Sequence, residues 1–222
     1  MNFRLQREQL INGELRRLGI HDEAVLQAML VVPREEFVPD ELRGSAYRNY
    51  PLPIGLGQTI SQPLMVAEMI EAMKLTSHDR VLEIGTGSGY GAAVLSRIVK
   101  DVFTIERHRE LAETAEKRLQ DLGYHNVHVC IGDGTLGWPQ EAPFDAIVVT
   151  AAAPKIPIEL MQQLSIGGRL VIPVGDLQDS QQLVRTVRRG KDDFDSTELG
   201  GVRFVPLIGE AGWEASDVFP GD

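Results

Sequence analysis

Cysteine is almost missing: Cys130 is the single thiol in 222 residues. One thiol cannot form an intramolecular disulfide, so a cystine-stapled secreted scaffold is excluded, and within a strand-like run Cys130 is expected to be buried packing. Positive charge is also scarce, with 22 Lys and Arg against 32 Asp and Glu and a formal net charge of −10. Such a balance repels a phosphate backbone and argues against nucleic acid as a partner. The basic stretch RTVRRGK at 185–191 reads instead as the solvated end of a hairpin. No apolar run is long enough to span a bilayer, and the opening MNFRLQREQL is charged from Arg4 onward without an apolar centre. The expectation is a cytoplasmic protein with no membrane partner and a monomeric state. His21, His78, His108, His125 and His128 show no metal-ligand spacing, so they read as solvated or structural and no metal is expected. Internal repeats and low-complexity segments are absent as well.

What is present is an alternation of periods. Apolar residues recur at helical spacing over 3–18 and 22–31, with Asp22 placed to cap the second helix. Pro33, Pro39, Pro51 and Pro53 then break regularity, predicting loop and short turns over 33–62. From residue 63 the pattern predicts helices at 63–73, 90–99, 109–122 and 157–164, between strands at 80–85, 101–106, 127–131, 144–150 and 169–174. Near-continuous Val, Ile and Leu in those strands points to a parallel sheet covered on both faces. The runs 181–189 and 202–208 follow without an intervening helix and are expected to pair as an antiparallel hairpin at an edge. The fold class is therefore α/β, a doubly wound, mostly parallel, Rossmann-like sheet with N-terminal helices. The expected division is an N-terminal helical appendage and loop over 1–62, a core over 63–208, and a loosely held acidic tail over 209–222.

VLEIGTGSGYG at 81–91 reads as strand, glycine turn and helix start, an arrangement that lets backbone approach a nucleotide-like ligand; Gly85 and Gly87 belong to that turn. Gly87, Gly89 and Ala92 also satisfy a dinucleotide pattern, so a nicotinamide ligand stays open at this point. The acids separate the ligands further. Glu83, inside the first strand, would repel a pyrophosphate yet suit a cationic ligand such as S-adenosylmethionine, which carries a sulfonium and an ammonium. Glu106, twenty-one positions after Gly85, is placed to accept from both ribose hydroxyls. Asp133, between Gly132 and Gly134, is placed either to accept from an adenine amino group or to stabilise its own turn. Three acids at three successive strand ends would line the carboxyl edge of the sheet, where open α/β folds bind ligands.

With these residues in place the chain resembles the protein-L-isoaspartate (D-aspartate) O-methyltransferase family. The likeness runs from about Val32 to Leu207 through VPREEFVP, LPIGLGQTISQP, VLEIGTGSGYGAAVL, GDG, PFDAIVVTAAAP, GGRLVIPVG and VRFVPL. It implies methyl transfer from S-adenosylmethionine, leaving S-adenosylhomocysteine, to the free α-carboxylate of L-isoaspartyl residues in damaged proteins and peptides, its macromolecular partners. By the same resemblance Ser61 is the active-site residue, Gln58, Thr59 and Ile60 contact the cofactor with Gly85, Gly87, Glu83, Glu106, Asp133 and Gly134, and the peptide is held near Ile54, Thr59, Ser61 and Val205. Gly91 departs from relatives, where a larger residue such as Gln is frequent; the expectation is a softer helix start with no effect on the acids.

GLGQTISQP at 55–63 is where a carboxylate-binding loop would sit. A carboxylate is already ionised at neutral pH, so methylating it needs positioning and exclusion of water rather than a strong base. Glycines ending in hydroxyls at a helix N-terminus suit that task. Ser61 has a competing reading as the helix cap, typically worth ~1 kcal/mol. The backbone of 54–61 and 202–208 is expected to grip an extended peptide. Two other functions share the pattern: a related methyltransferase acting on RNA or a small acid, and a non-catalytic adenosine-binding module. The chain lacks an N-P-P-Y tetrapeptide, which counts against methylation of base nitrogens.

Overall fold

The computed structural model describes residues 2–176 and 181–218. Helix α1 (Phe3–Glu8) runs into a π-helical segment (Gln9–Leu15), and α2 (Glu23–Val31) starts where Asp22 accepts from the Ala24 and Val25 amides at 2.8 and 3.2 Å. The proline-rich stretch is more ordered than its composition suggests. It holds two 3₁₀ turns (Arg34–Phe37 and Asp40–Ser45) and a small antiparallel hairpin, β1 (Leu52–Gly55) and β2 (Gln58–Ile60).

After α3 (Pro63–Met73) the alternation follows the expected order: β3 (Arg80–Ile84), α4 (Tyr90–Ser96), β4 (Asp101–Glu106), α5 (Arg109–Asp121), β5 (Val127–Ile131), β6 (Phe144–Val149), α6 (Ile158–Gln162) and β7 (Leu164–Val174). With β8 (Gln181–Arg188) and β9 (Phe194–Val202) they form a seven-stranded sheet in the order β5-β4-β3-β6-β7-β8-β9. The five strands β5 to β7 are parallel, and β8 and β9 are antiparallel additions. The chain order reverses between β3 and β6, so their carboxyl ends open the crevice where such sheets bind ligands.

Alternation along the strands divides the core in two. Val81, Val102, Ala146 and Val171 join one apolar cluster, and Leu82, Phe103, Ile147 and Leu170 join the other. The first cluster also contains Leu10, Leu15, Leu26, Met29 and Phe37, so the N-terminal helices share a core with that face of the sheet.

Four expectations change. The hairpin partner of β8 is β9, and residues 202–208 cross the carboxyl end of the sheet as an extended segment. The sequence FDSTELGGV of β9 is mostly exposed, so an apolar pattern passes it over, whereas Pro206 removes a donor from the run that looked like a strand. β7 begins at Leu164, five residues before the expected start at 169, because α6 is a short helix ending at Gln162. Cys130 is half-buried rather than enclosed, since β5 is an edge strand. The described part of the tail is docked: the Trp213 amide donates to the Leu207 carbonyl and its indole to the Ala152 carbonyl, at 2.8 and 3.1 Å.

Candidate active site

The glycine turn after β3 is built by close approach. Gly85 has φ +97°, and a Cβ there would collide with the Thr150 hydroxyl. That hydroxyl donates to the Ile84 and Gly85 carbonyls, both at 3.0 Å, tying the end of β6 to the turn. Glu106, at the end of β4, is buried, and its two oxygens accept from the Gly87 amide at 2.9 Å and the His108 amide at 3.0 Å. The Gly89 amide is also taken, donating to the Thr86 carbonyl at 2.8 Å. Two amides that a pyrophosphate would need at this helix start are therefore engaged within the protein, which weighs against a dinucleotide.

A cavity of about 250 Å³ opens over this turn. Gln58, Thr59, Ser61, Gly85, Gly87, Glu106, Gly134 and Val205 line it. Ile84, Ile105, Leu207, Ile208 and Val218 supply apolar walls around the Glu106 carboxylate. An adenosyl group, with apolar ring faces and a ribose diol seeking an acceptor, fits that chemistry. Reading the sequence missed Thr150 and discounted His108. His108 lies on the pocket wall with a buried Nε2 that has no hydrogen-bond partner among the described residues. The signal for both was position, one residue beyond β6 and two beyond β4.

Four expected residues lie elsewhere. Ile60 is buried in the core cluster shared by the N-terminal helices. Ile54 sits beneath Gly87, where a Cβ would come within 3.2 Å of its Cδ1. Asp133 accepts from the Thr135 amide and hydroxyl at 2.9 and 2.7 Å and from the Glu210 amide at 2.8 Å. Its carboxylate thus caps a short turn and anchors the C-terminal segment rather than facing the cavity. Glu83 is buried, does not line the cavity, and accepts from the Thr104 hydroxyl at 2.7 Å. Gly91 is the reason it fits, since a Cβ at that position would collide with Glu83 Oε1. The departure at Gly91 therefore does touch an acid, contrary to expectation.

Burial pushes the Glu83 carboxyl up to about 8; the nearby Glu106 charge adds to the rise and the Thr104 hydrogen bond opposes it. Glu83 is then mostly neutral at pH 7 in the ligand-free protein. A folded-state pKa above the unfolded value contributes stability that is full below about pH 4.5 and lost as pH rises through 8. Relative to Glu83→Gln, the wild-type chain should lose at most about 1.4 kcal/mol per pH unit across that window. Thermal melts of both proteins from pH 5 to 9 check this, and parallel profiles would refute it.

The hydroxyl loop is held from behind. Arg34 is completely buried, stacks over the Tyr90 ring at 4.7 Å, and donates to the Ala46 and Ser61 carbonyls, both at 2.8 Å. The N-cap of α3 is Gln62, which makes no side-chain cap bond; Asn49 Oδ1 accepts from the Leu64 amide at 3.0 Å instead. Ser61 is therefore not the cap, and its hydroxyl has no hydrogen-bond partner among the described residues. Pro63 lacks an amide hydrogen and Leu64 has spent its own, so few free donors remain at this helix end.

Outside the first cavity lies a groove of about 800 Å³ bounded by Pro51, Gln62 and Met65 on one side and residues 201–205 on the other. Thr59, Ser61, Thr150 and Val205 line both spaces and form the wall between them. The extended backbone beyond β9 is largely committed. Phe204 donates to and accepts from the Gln181 side chain at 2.6 and 3.3 Å, and the Val205 carbonyl accepts from the Ala152 amide at 2.7 Å. The Leu207 amide donates to the Ala152 carbonyl at 2.8 Å. The Phe204 backbone, the Val205 carbonyl and the Leu207 amide are thus spent within the protein and are not open to a peptide.

Comparison with known proteins agrees with this geometry. The family model for protein-L-isoaspartate(D-aspartate) O-methyltransferase (PCMT) matches residues 5–212. Protein-L-isoaspartate O-methyltransferase 2 of Pelobacter propionicus is 60% identical over 212 residues, covering 96% of this chain and 94% of that protein. Protein-L-isoaspartate O-methyltransferase 1 of Geotalea uraniireducens is 58% identical over 212 residues, 96% and 97% of the two chains. A solved protein-L-isoaspartate O-methyltransferase superposes with a TM-score of 0.83 at 33% identity, over 93% of this chain and 67% of that one. A Plasmodium falciparum relative, solved in complex with S-adenosyl-L-homocysteine, gives a TM-score of 0.79 at 25% identity over 91% and 98%. The chain belongs to the protein-L-isoaspartate (D-aspartate) O-methyltransferase family.

Proposed function

We propose that this chain transfers the methyl group of S-adenosylmethionine to the free α-carboxylate of L-isoaspartyl and D-aspartyl residues in damaged proteins, the step that initiates their repair. The observation that carries this reading is the common wall of Thr59, Ser61, Thr150 and Val205 between the cavity over the glycine turn and an open groove. S-adenosylmethionine supplies an electrophilic methyl on a sulfonium, so the reaction forms a C–O bond, breaks a C–S bond and releases no proton.

The chain's own residues then have limited tasks. Glu106 accepts from the ribose hydroxyls with the lone pairs left free by the Gly87 and His108 amides. The unpartnered Ser61 hydroxyl donates to one carboxylate oxygen and leaves the other directed at the wall, while Arg34 fixes the Ser61 backbone. Leu56 at the hairpin tip and Val218 of α7 (Ala215–Val218) border the cofactor cavity and help to exclude water. In this scheme residues 1–62 carry the carboxylate loop and 63–208 the methyl-donor core, and the described start of the acidic 209–222 segment closes behind Asp133 through Glu210.

We further assign a monomer working in the cytoplasm, with no nucleic-acid or membrane partner. The strongly negative formal charge supports this, and among the described residues no helix is long and apolar enough to cross a membrane. The deciding experiment measures transfer of labelled methyl to an isoaspartyl peptide, its aspartyl counterpart and bulk RNA. Label on the isoaspartyl peptide alone is expected. Equal labelling of the two peptides would make the protein a general carboxyl methyltransferase, and label on RNA would replace the substrate class.

A further inference from the structure

The groove outside the wall contains one charged side chain among its lining residues, Arg203. Most arginines of this acidic chain are held: Arg7 pairs with Glu35 at 3.0 Å, Arg80 with Glu141 at 3.0 Å and Arg169 with Asp79 at 2.9 Å. Arg203 is exposed and makes no hydrogen bond or ion pair among the described residues. Its direction is set by its neighbour. Phe204 packs against the core and has both backbone groups clamped by the buried Gln181 side chain, which leaves Arg203 on the groove side of the chain.

Arg203 borders the groove but not the cofactor cavity. The nucleophilic carboxylate must sit at the wall near Ser61 to face the methyl group, so the guanidinium lies outside the reacting position. A bidentate guanidinium on the nucleophile would also occupy both of its oxygens and blunt the attack. The geometry points to a second carboxylate: we propose that Arg203 is a specificity-determining residue that receives an acidic side chain flanking the isoaspartyl residue. A planar guanidinium fork suits that partner, and a free cation offsets the repulsion an acidic peptide meets from a chain of net charge −10. This inference rests on the isoaspartyl reading above and specifies which peptides that site prefers.

The test uses isoaspartyl peptides carrying Glu, Gln or Lys at each flanking position, assayed with wild type, Arg203→Gln and Arg203→Glu at low and high salt. For wild type at low salt, Glu should lower KM relative to Gln by roughly two- to fivefold at the position that reaches Arg203, the range an exposed pair provides. Arg203→Gln should erase that preference and Arg203→Glu should reverse it toward Lys, with the change in KM rather than kcat. High salt should flatten all three. A Glu preference unchanged in Arg203→Gln, or a loss confined to kcat, overturns the assignment. Methylation of isoaspartyl peptides with no flank preference refutes the role of Arg203 alone, whereas no methylation by the wild type refutes the proposed function and this inference with it.

Discussion

Ser61→Ala should lower kcat for isoaspartyl peptides by on the order of 10²-fold, because a hydroxyl on the wall between the two cavities no longer fixes the carboxylate and an error of about 1 Å has that cost. Folding should be almost untouched. The cap of α3 comes from Asn49, so neither Ser61→Ala nor Ser61→Asn removes a capping bond. Asn49→Ala is the contrasting variant and should cost ~1 kcal/mol of stability. Binding of S-adenosylhomocysteine to Ser61→Ala should stay near wild type, since Glu106 and the glycine turn remain. Turnover, melting temperature and calorimetric affinity together decide the matter. Near-wild-type kcat in Ser61→Ala would end the catalytic assignment, and a stability loss equal to that of Asn49→Ala would restore the capping role.

Glu106→Ala is expected to weaken S-adenosylmethionine binding by roughly 2–4 kcal/mol, as charge-assisted bonds to ribose are lost. Part of that loss is internal, for the Gly87 and His108 amides would also lose their acceptors and the glycine turn its brace. Glu106→Gln separates the two contributions. An amide retains one acceptor oxygen and turns an NH₂ toward the other donor, so its affinity should fall between wild type and alanine. Calorimetric titration with S-adenosylhomocysteine reads all three proteins. An alanine variant that binds as tightly as wild type would remove Glu106 from the cofactor site and leave it a structural brace.

What the sequence determined by itself is what short range can encode. The alternation of apolar strands and amphipathic helices, the Asp22 cap, the glycine turn after β3 and Glu106 at the end of β4 all depend on periodicity or on neighbours a few residues away, and they were legible. The family motifs singled out GQTISQP, and residues of that stretch lie where two cavities meet. Tertiary structure alone decided which group satisfies which orphan. Asn49 reaches fifteen residues forward to cap α3 and frees Ser61, Gln181 completes the backbone of Phe204, and the C-terminal segment occupies Asp133. Glu83 reads as a ligand-facing charge in one dimension, yet the missing side chain of Gly91 lets it lie buried and mostly neutral. The physical reason is that a polar side chain takes the nearest partner in space, and once the sheet has closed that partner can be any distance away along the chain.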